Sequence, residues 1–208
     1  MCKVLKNIAG RTARELLESC DMENTYPVNL DIIIEKWGLS KYPVSFDDLE
    51  KDKDISKIVE KRGHILGMVV CKGDELAIFY KKNDSLNRKK FTIAHEIAHC
   101  CLHTNYLKNG YVEFRCNQIA NKFQPEIEKE ANIFAGELLI PHGALQKALV
   151  EISHPTLNEL ARKFKVSENV MRERLNFLQI PFMEEYIESE KCYKISETDR
   201  IILNLLKA

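Results

Sequence analysis

Two histidines four residues apart, His95 and His99, constrain this chain more than any other feature. They stand in a run from Phe91 to His103 that reads as a helix. On a helix, positions i and i+4 lie one above the other, so both imidazoles reach one metal ion only if the run is helical. Glu96 flanks the same edge and is placed to take a proton from water that the ion activates. The residues spell H-E-x-x-H, the pattern of zinc peptidases. A catalytic zinc takes three protein ligands and keeps one position for water. The fold must therefore press a second element against this helix.

His103 continues the same face but does not qualify as the third ligand. Eight residues separate it from His95, about 12 Å of helical rise, too far to share one ion. It reads as a packing or hydrogen-bonding residue. A better source is the stretch from Glu126 to Leu139. Pro125 suits a helix start and acidic residues crowd the first turn. Ile127, Ala131, Phe134, Ala135 and Leu138 form one apolar stripe at helical spacing. Glu128 borders that stripe, about 60° from its centre, while Glu130 lies about 100° off on the other side. Asn132 stacks one turn above Glu128 and suits a residue that orients a ligand by a hydrogen bond. Ala94, Ala98, Ala131 and Ala135 are small enough to let the two helices approach closely. Glu128 is the first candidate, and Glu130 remains open as the alternative.

The two blocks together carry a resemblance. Phe91-Thr92-Ile93-Ala94-His95-Glu96-Ile97-Ala98-His99, followed by Glu128-x-x-Ala131-Asn132-x-Phe134-Ala135-x-x-Leu138-Leu139-x-Pro141, resembles the ImmA/IrrE family of metallopeptidases. The similarity runs from the N-terminal helices to about Leu178. It implies that His95 and His99 are metal ligands, that Glu96 is the general base and that Glu128 is the third ligand. It also implies a cytoplasmic protease that cuts a partner repressor and so switches on genes of a mobile element or a stress response. His and carboxylate donors favour Zn²⁺, and Mn²⁺ suits the same set.

Composition agrees with that class. The chain has 208 residues, enough for one or two small domains, and its 31 basic residues equal its 31 acidic ones. Zero net charge gives no general pull toward nucleic acid or membrane. Seven cysteines without a C-x-x-C pair read as reduced thiols in a reducing cytoplasm. No apolar run approaches the ~18 residues of a membrane helix, and none follows Met1-Cys2-Lys3 in signal-peptide fashion.

Elsewhere the pattern predicts a helix over residues 3–20 and another over Leu30–Trp37, ended by Gly38. Val44 and Phe46 mark a short strand. His64–Cys71 and Glu75–Tyr80 read as a hairpin, with Gly67 marking a bulge or a close backbone approach. A hairpin edge beside the metal could pair with an extended peptide. Lys81–Lys90, with Lys81, Lys82, Arg88, Lys89 and Lys90, reads as a solvated basic connector. Thr156 to Leu175 resembles a helix-turn-helix, with Ser167 capping the second helix. Lys165 takes the turn position where Gly is favoured, and Arg174 takes a usually apolar place. Its basic residues exceed its acidic ones by only two, so DNA binding is not expected. A cluster of Ile201, Ile202, Leu203, Leu205 and Leu206 predicts a final docking helix.

The expected architecture is α+β: a mostly helical, zincin-like peptidase with a small antiparallel sheet or hairpin and a C-terminal helix-turn-helix-like segment. The expected division is 1–152 for the peptidase domain, 153–180 for the helix-turn-helix-like segment and 181–208 for a helical tail. The expected activity is zinc-dependent cleavage of a partner protein. The alternative is a non-catalytic regulatory or antitoxin-like binding module with a structural metal. Tyr80, Tyr106, Tyr111 and His142 are candidates for a further oxyanion donor.

Overall fold

Most of the predicted elements form, and their packing decides where the histidines point. In the computed structural model, residues 2–47, 49–51, 56, 64–72, 75–108, 113–116, 125–152 and 155–183 are described. The order is α1 (Cys2–Ser19), α2 (Leu30–Lys36), β1 (Ser40–Val44), a 3₁₀ turn (Leu49–Lys51), β2 (Ile65–Lys72), β3 (Glu75–Lys81), α3 (Leu86–Leu102), α4 (Thr104–Lys108), β4 (Glu113–Cys116), α5 (Pro125–Leu139), α6 (His142–Glu151), α7 (Leu157–Phe164) and α8 (Glu168–Leu178). The expected C-terminal tail, from residue 184 on, and Tyr111 lie outside the described residues, as does the side chain of Tyr106.

The sheet has the order β1-β3-β2-β4. β2 and β3 form the expected antiparallel hairpin, and β2 pairs antiparallel with β4. β1 joins β3 in parallel, so the sheet is mixed rather than purely antiparallel. The short strand expected around Val44 and Phe46 ends at Val44, and the Phe46 side chain is buried instead. The sheet order also corrects the expected edge. β2 is covered on both sides, so among the described residues the outer strands are β1 and β4.

The metal-motif helix starts earlier than expected. Leu86 to Lys90, read as part of a connector, is the first turn and more of α3. Every residue from Thr92 to Cys100 is buried. The sheet strands β2 and β3 cover one side of α3, and α5 and α1 cover the other. Ala94, Ala98, Ala131 and Ala135 are all fully enclosed, so backbones rather than long side chains set the α3–α5 distance. Dispersion between such closely packed walls is collectively large.

The helix-turn-helix-like segment shares this core. Leu157, Leu160, Phe164, Met171 and Leu175 belong to the same apolar cluster as residues of α1, α3 and α5. Thr156 and Glu159 make a reciprocal capping box at the start of α7, and the Ser167 hydroxyl accepts from the Val170 N–H at the start of α8. Lys165 holds the left-handed turn between them at φ 52°, the conformation for which Gly is favoured.

Arg174 explains its own odd position. It is buried, and its Nη2 donates to Glu137 Oε2 at 2.6 Å while its Nε donates to the Ile140 carbonyl at 3.2 Å. Arg14 of α1 donates to the same Glu137 oxygen at 3.2 Å. One carboxylate thus ties α8 and α1 to α5. A guanidinium spent in this way is turned from solvent and cannot neutralise a phosphate.

Candidate metal centre

Helical periodicity stacks His95 and His99 on one face of α3, and the burial of that helix points them at α5. Their Nε2 atoms lie 3.1 Å apart. Glu128, in the first turn of α5, brings one carboxylate oxygen to 3.3 Å from His95 Nε2 and the other to 3.6 Å from His99 Nε2. One ligand atom from each of the three falls within 4.8 Å of the others.

These distances fit an ion. Zinc bonds of about 2.0–2.1 Å in a tetrahedron put neighbouring ligand atoms roughly 3.3–3.4 Å apart. The hydrogen bonds behind the ligands agree. His95 Nδ1–H donates to Asn132 Oδ1 at 3.1 Å. His99 Nδ1–H donates to His103 Nδ1 at 3.0 Å, and His103 Nε2–H donates to Glu130 Oε2 at 3.0 Å. With His103 neutral, this arrangement leaves the Nε2 atoms of His95 and His99 as acceptors facing each other beside a carboxylate. Two lone pairs and an anion converging in a buried site call for a cation.

The choice between Glu128 and Glu130 is thereby divided rather than contested. Glu128 meets His95 and His99, while Glu130 meets His103 one helical turn beyond His99. Sequence reading gave His103 a hydrogen-bonding role but did not connect it to Glu130 or to His99. The signal available was the repeated i+4 spacing of His95, His99 and His103.

Glu96 is completely buried on the same helix, beside β2. Gly67 of β2 makes that position possible. A Cβ on Gly67 would stand 2.4 Å from Thr92 Cγ2 and 2.8 Å from Glu96 Oε1. The pairing of β2 with β4 also shifts register between Ile65 and Gly67. Bulge and close approach therefore occur together at the one glycine.

The other candidates divide. Tyr80 of β3 is half-buried, packs against the apolar core and stands directly opposite Gly67 in the β2–β3 register, on the strand next to the one that meets Glu96. His142 starts α6, where its backbone N–H donates to Glu137 Oε1 at 3.2 Å. Glu137 is nine residues beyond Glu128, about 13 Å along the helix, so His142 belongs to the Arg174 cluster and not to the ligand group. Burial and the neighbouring Arg174 charge hold its imidazole below the ordinary value. Burial pushes the Cys100 thiol up, helped by Cys101 and Glu96, and pushes Cys101 up to about 12. Burial of this kind favours the protonated thiol.

A buried H-E-x-x-H helix that shares a carboxylate with its neighbour defines a metallopeptidase-type domain. Comparison with known proteins agrees. The peptidase family described as the IrrE N-terminal-like domain matches residues 60–176, more than half of the chain, and the chain belongs to that family. It is also similar to Metallopeptidase ImmA of Bacillus subtilis (strain 168), with 29% identity over 94 residues. That match covers 45% of this chain and 53% of the relative, so the chain spans about half the length of the curated relative it matches.

Proposed function

We propose that this chain is a zinc-dependent endopeptidase that cleaves one partner protein. The observation that carries this reading is the meeting of His95, His99 and Glu128 beside the buried Glu96. His95 and His99 would hold the ion through Nε2, and Glu128 through its carboxylate. When bound, zinc supplies Lewis acidity toward a peptide carbonyl and toward water. Glu96 takes the proton of the attacking water on its carboxylate and passes it to the leaving amide nitrogen. Asn132 steadies the His95 ring, and His103, backed by Glu130, steadies that of His99. The same donors would accept manganese.

The partner we propose is a helix-turn-helix transcriptional repressor of a mobile element or stress regulon, in the cytoplasm. Support comes from the family resemblance and from Cys20, Cys71, Cys100 and Cys101, none of which is in a disulfide. Among the described residues no helix is long and apolar enough to cross a membrane. A peptide extended along the outer edge of β4, which no described strand covers, would lie one strand from Gly67 and Glu96.

The test is co-expression of the chain, native or Glu96→Gln, with a candidate repressor. The native chain should yield a cut repressor, and Glu96→Gln should retain zinc yet leave the repressor whole. Equal relief of repression by both, without cleavage, would replace this reading with a binding module.

A further inference from the structure

A groove separate from the His95–His99–Glu128 group lies where the start of α3 meets the turn between α7 and α8. An open groove of about 750 Å³ runs there, walled by Asn87 and Lys90 on one side and by Arg162, Lys165 and Glu168 on the other. The walls are tied together. Asn87 Nδ2 donates to the Val166 carbonyl at 3.1 Å, and Lys90 Nζ donates to the Phe164 carbonyl at 3.3 Å.

The charges in this groove are unbalanced. Three other cations of the same region are matched: Lys163 pairs with Glu151, Arg174 with Glu137 and Arg88 with Asp84. Lys90 and Lys165 have no ion pair among the described residues, and Arg162 makes none at contact distance, its nearest opposite charge being Glu159 one turn before it on α7. Glu168 is the one acidic side chain lining the groove, and its Oε1 is already engaged by Asn158 Nδ2 at 2.6 Å. Three cations less one carboxylate leave a formal charge of +2 in a chain whose net charge is zero. The helix end adds to this. Leu86 and Asn87 open α3, whose first turn holds no acidic residue and whose Ser85 makes no side-chain cap, so its N–H groups add positive potential.

We propose that this groove binds a compact tetrahedral dianion, either free phosphate or sulfate or the end of a phosphomonoester, held by Lys90, Arg162 and Lys165. Charge match favours a dianion over a single carboxylate. An extended nucleic-acid backbone is disfavoured, because Glu168 and Glu173 sit on α8 and Arg174 is turned into the core. Burial and the facing Lys165 push Lys90 down to about 8, a cost to its ammonium form that a bound dianion would relieve. Lys90 stands five residues before His95, roughly 7.5 Å along α3. The bound anion would therefore brace the metal-bearing helix against the α7–α8 turn without touching the metal ligands.

The zinc-loaded full chain is titrated with sodium sulfate, and separately with phenyl phosphate, at ionic strength held constant with sodium chloride. Amide NMR shifts of Asn87, Lys90 and Val166 report binding. Both anions should saturate one site, and tighter binding of phenyl phosphate than of sulfate would identify the monoester as the better fit. Lys90→Met and Lys165→Met should each raise the Kd about tenfold or more. Lys163→Gln removes a paired cation outside the groove and should change the Kd less than about twofold. Zinc content and melting temperature establish that each variant is folded. Absence of a saturable shift would overturn the proposal. So would parental Kd values in both groove variants, or binding of duplex DNA that Lys163→Gln weakens as much as Lys90→Met does.

Discussion

Replacing Gly67 with Ala tests how the sheet seats Glu96, the proposed general base. The new Cβ would stand 2.4 Å from Thr92 Cγ2, 2.8 Å from Glu96 Oε1 and 3.3 Å from the Phe79 carbonyl oxygen. Carbon pairs rest at about 3.5–4.0 Å, so the closest contact is short by more than 1 Å. Neither wall yields easily, since β2 is hydrogen-bonded on both sides and Thr92 lies on the buried stretch of α3. Overpacking of this kind costs about 1–3 kcal/mol. The stiffer unfolded chain returns roughly 0.4–1 kcal/mol. The net expectation is about 1–2 kcal/mol of lost stability, seen as a fall of roughly 0.5–1 M in the urea midpoint. Thr92→Ser removes the Cγ2 atom, so the Gly67→Ala/Thr92→Ser pair should recover most of the stability. It should not recover activity, because the Glu96 contact persists, and an ångström of misplacement at a reacting group costs on the order of 10²-fold in rate. An unchanged midpoint for Gly67→Ala, or a Thr92→Ser background that rescues nothing, would refute the proposed close contact.

Three further outcomes are expected. His103→Ala and Glu130→Ala should each weaken zinc binding about 10–100-fold in chelator competition, with the double variant no worse than the poorer single one, because they act on His99 in series. Arg174→Ala leaves Glu137 in the core with the half-exposed Arg14 as its one remaining cation and should cost about 3–5 kcal/mol in urea unfolding, whereas Arg174→Met/Glu137→Leu should be milder because no buried unpaired charge remains. His142 is held below its ordinary value of 6.5, so in the window just beneath pH 6.5 the unfolded chain binds more protons than the folded one. Stability should rise with pH there and be lost as pH falls through the folded value; His142→Asn should flatten that slope relative to the parent in parallel melting curves.

Much of the site was legible because helical periodicity is local. Spacing alone put His95, Glu96 and His99 on one helical edge and excluded His103 from their ion. Hairpin, caps and the α7–α8 turn were legible for the same reason, since each depends on residues within a few positions. Mis-set boundaries had a physical cause too. Lys89 and Lys90 looked like a solvated connector, but α3 extends back to Leu86 and Lys90 is half-buried against the α7–α8 turn. Phe46 looked like a strand residue because burial and strand propensity leave the same mark in a sequence.

What the sequence determined by itself was therefore the set of donors and the helices that carry them. Only tertiary structure decided which carboxylate serves which histidine. Glu128 and Glu130 are two residues apart, about 200° around the helix, and the apolar stripe ranks Glu128 first without showing which carboxylate meets which histidine. The approach angle of α5, set by four alanines and clamped by Glu137 between Arg14 and Arg174, gives Glu128 to His95 and His99 and Glu130 to His103. The covered edge of β2, the bare glycine behind Glu96 and the unmatched cations near Lys90 are likewise contacts across long stretches of chain, where periodicity carries no information.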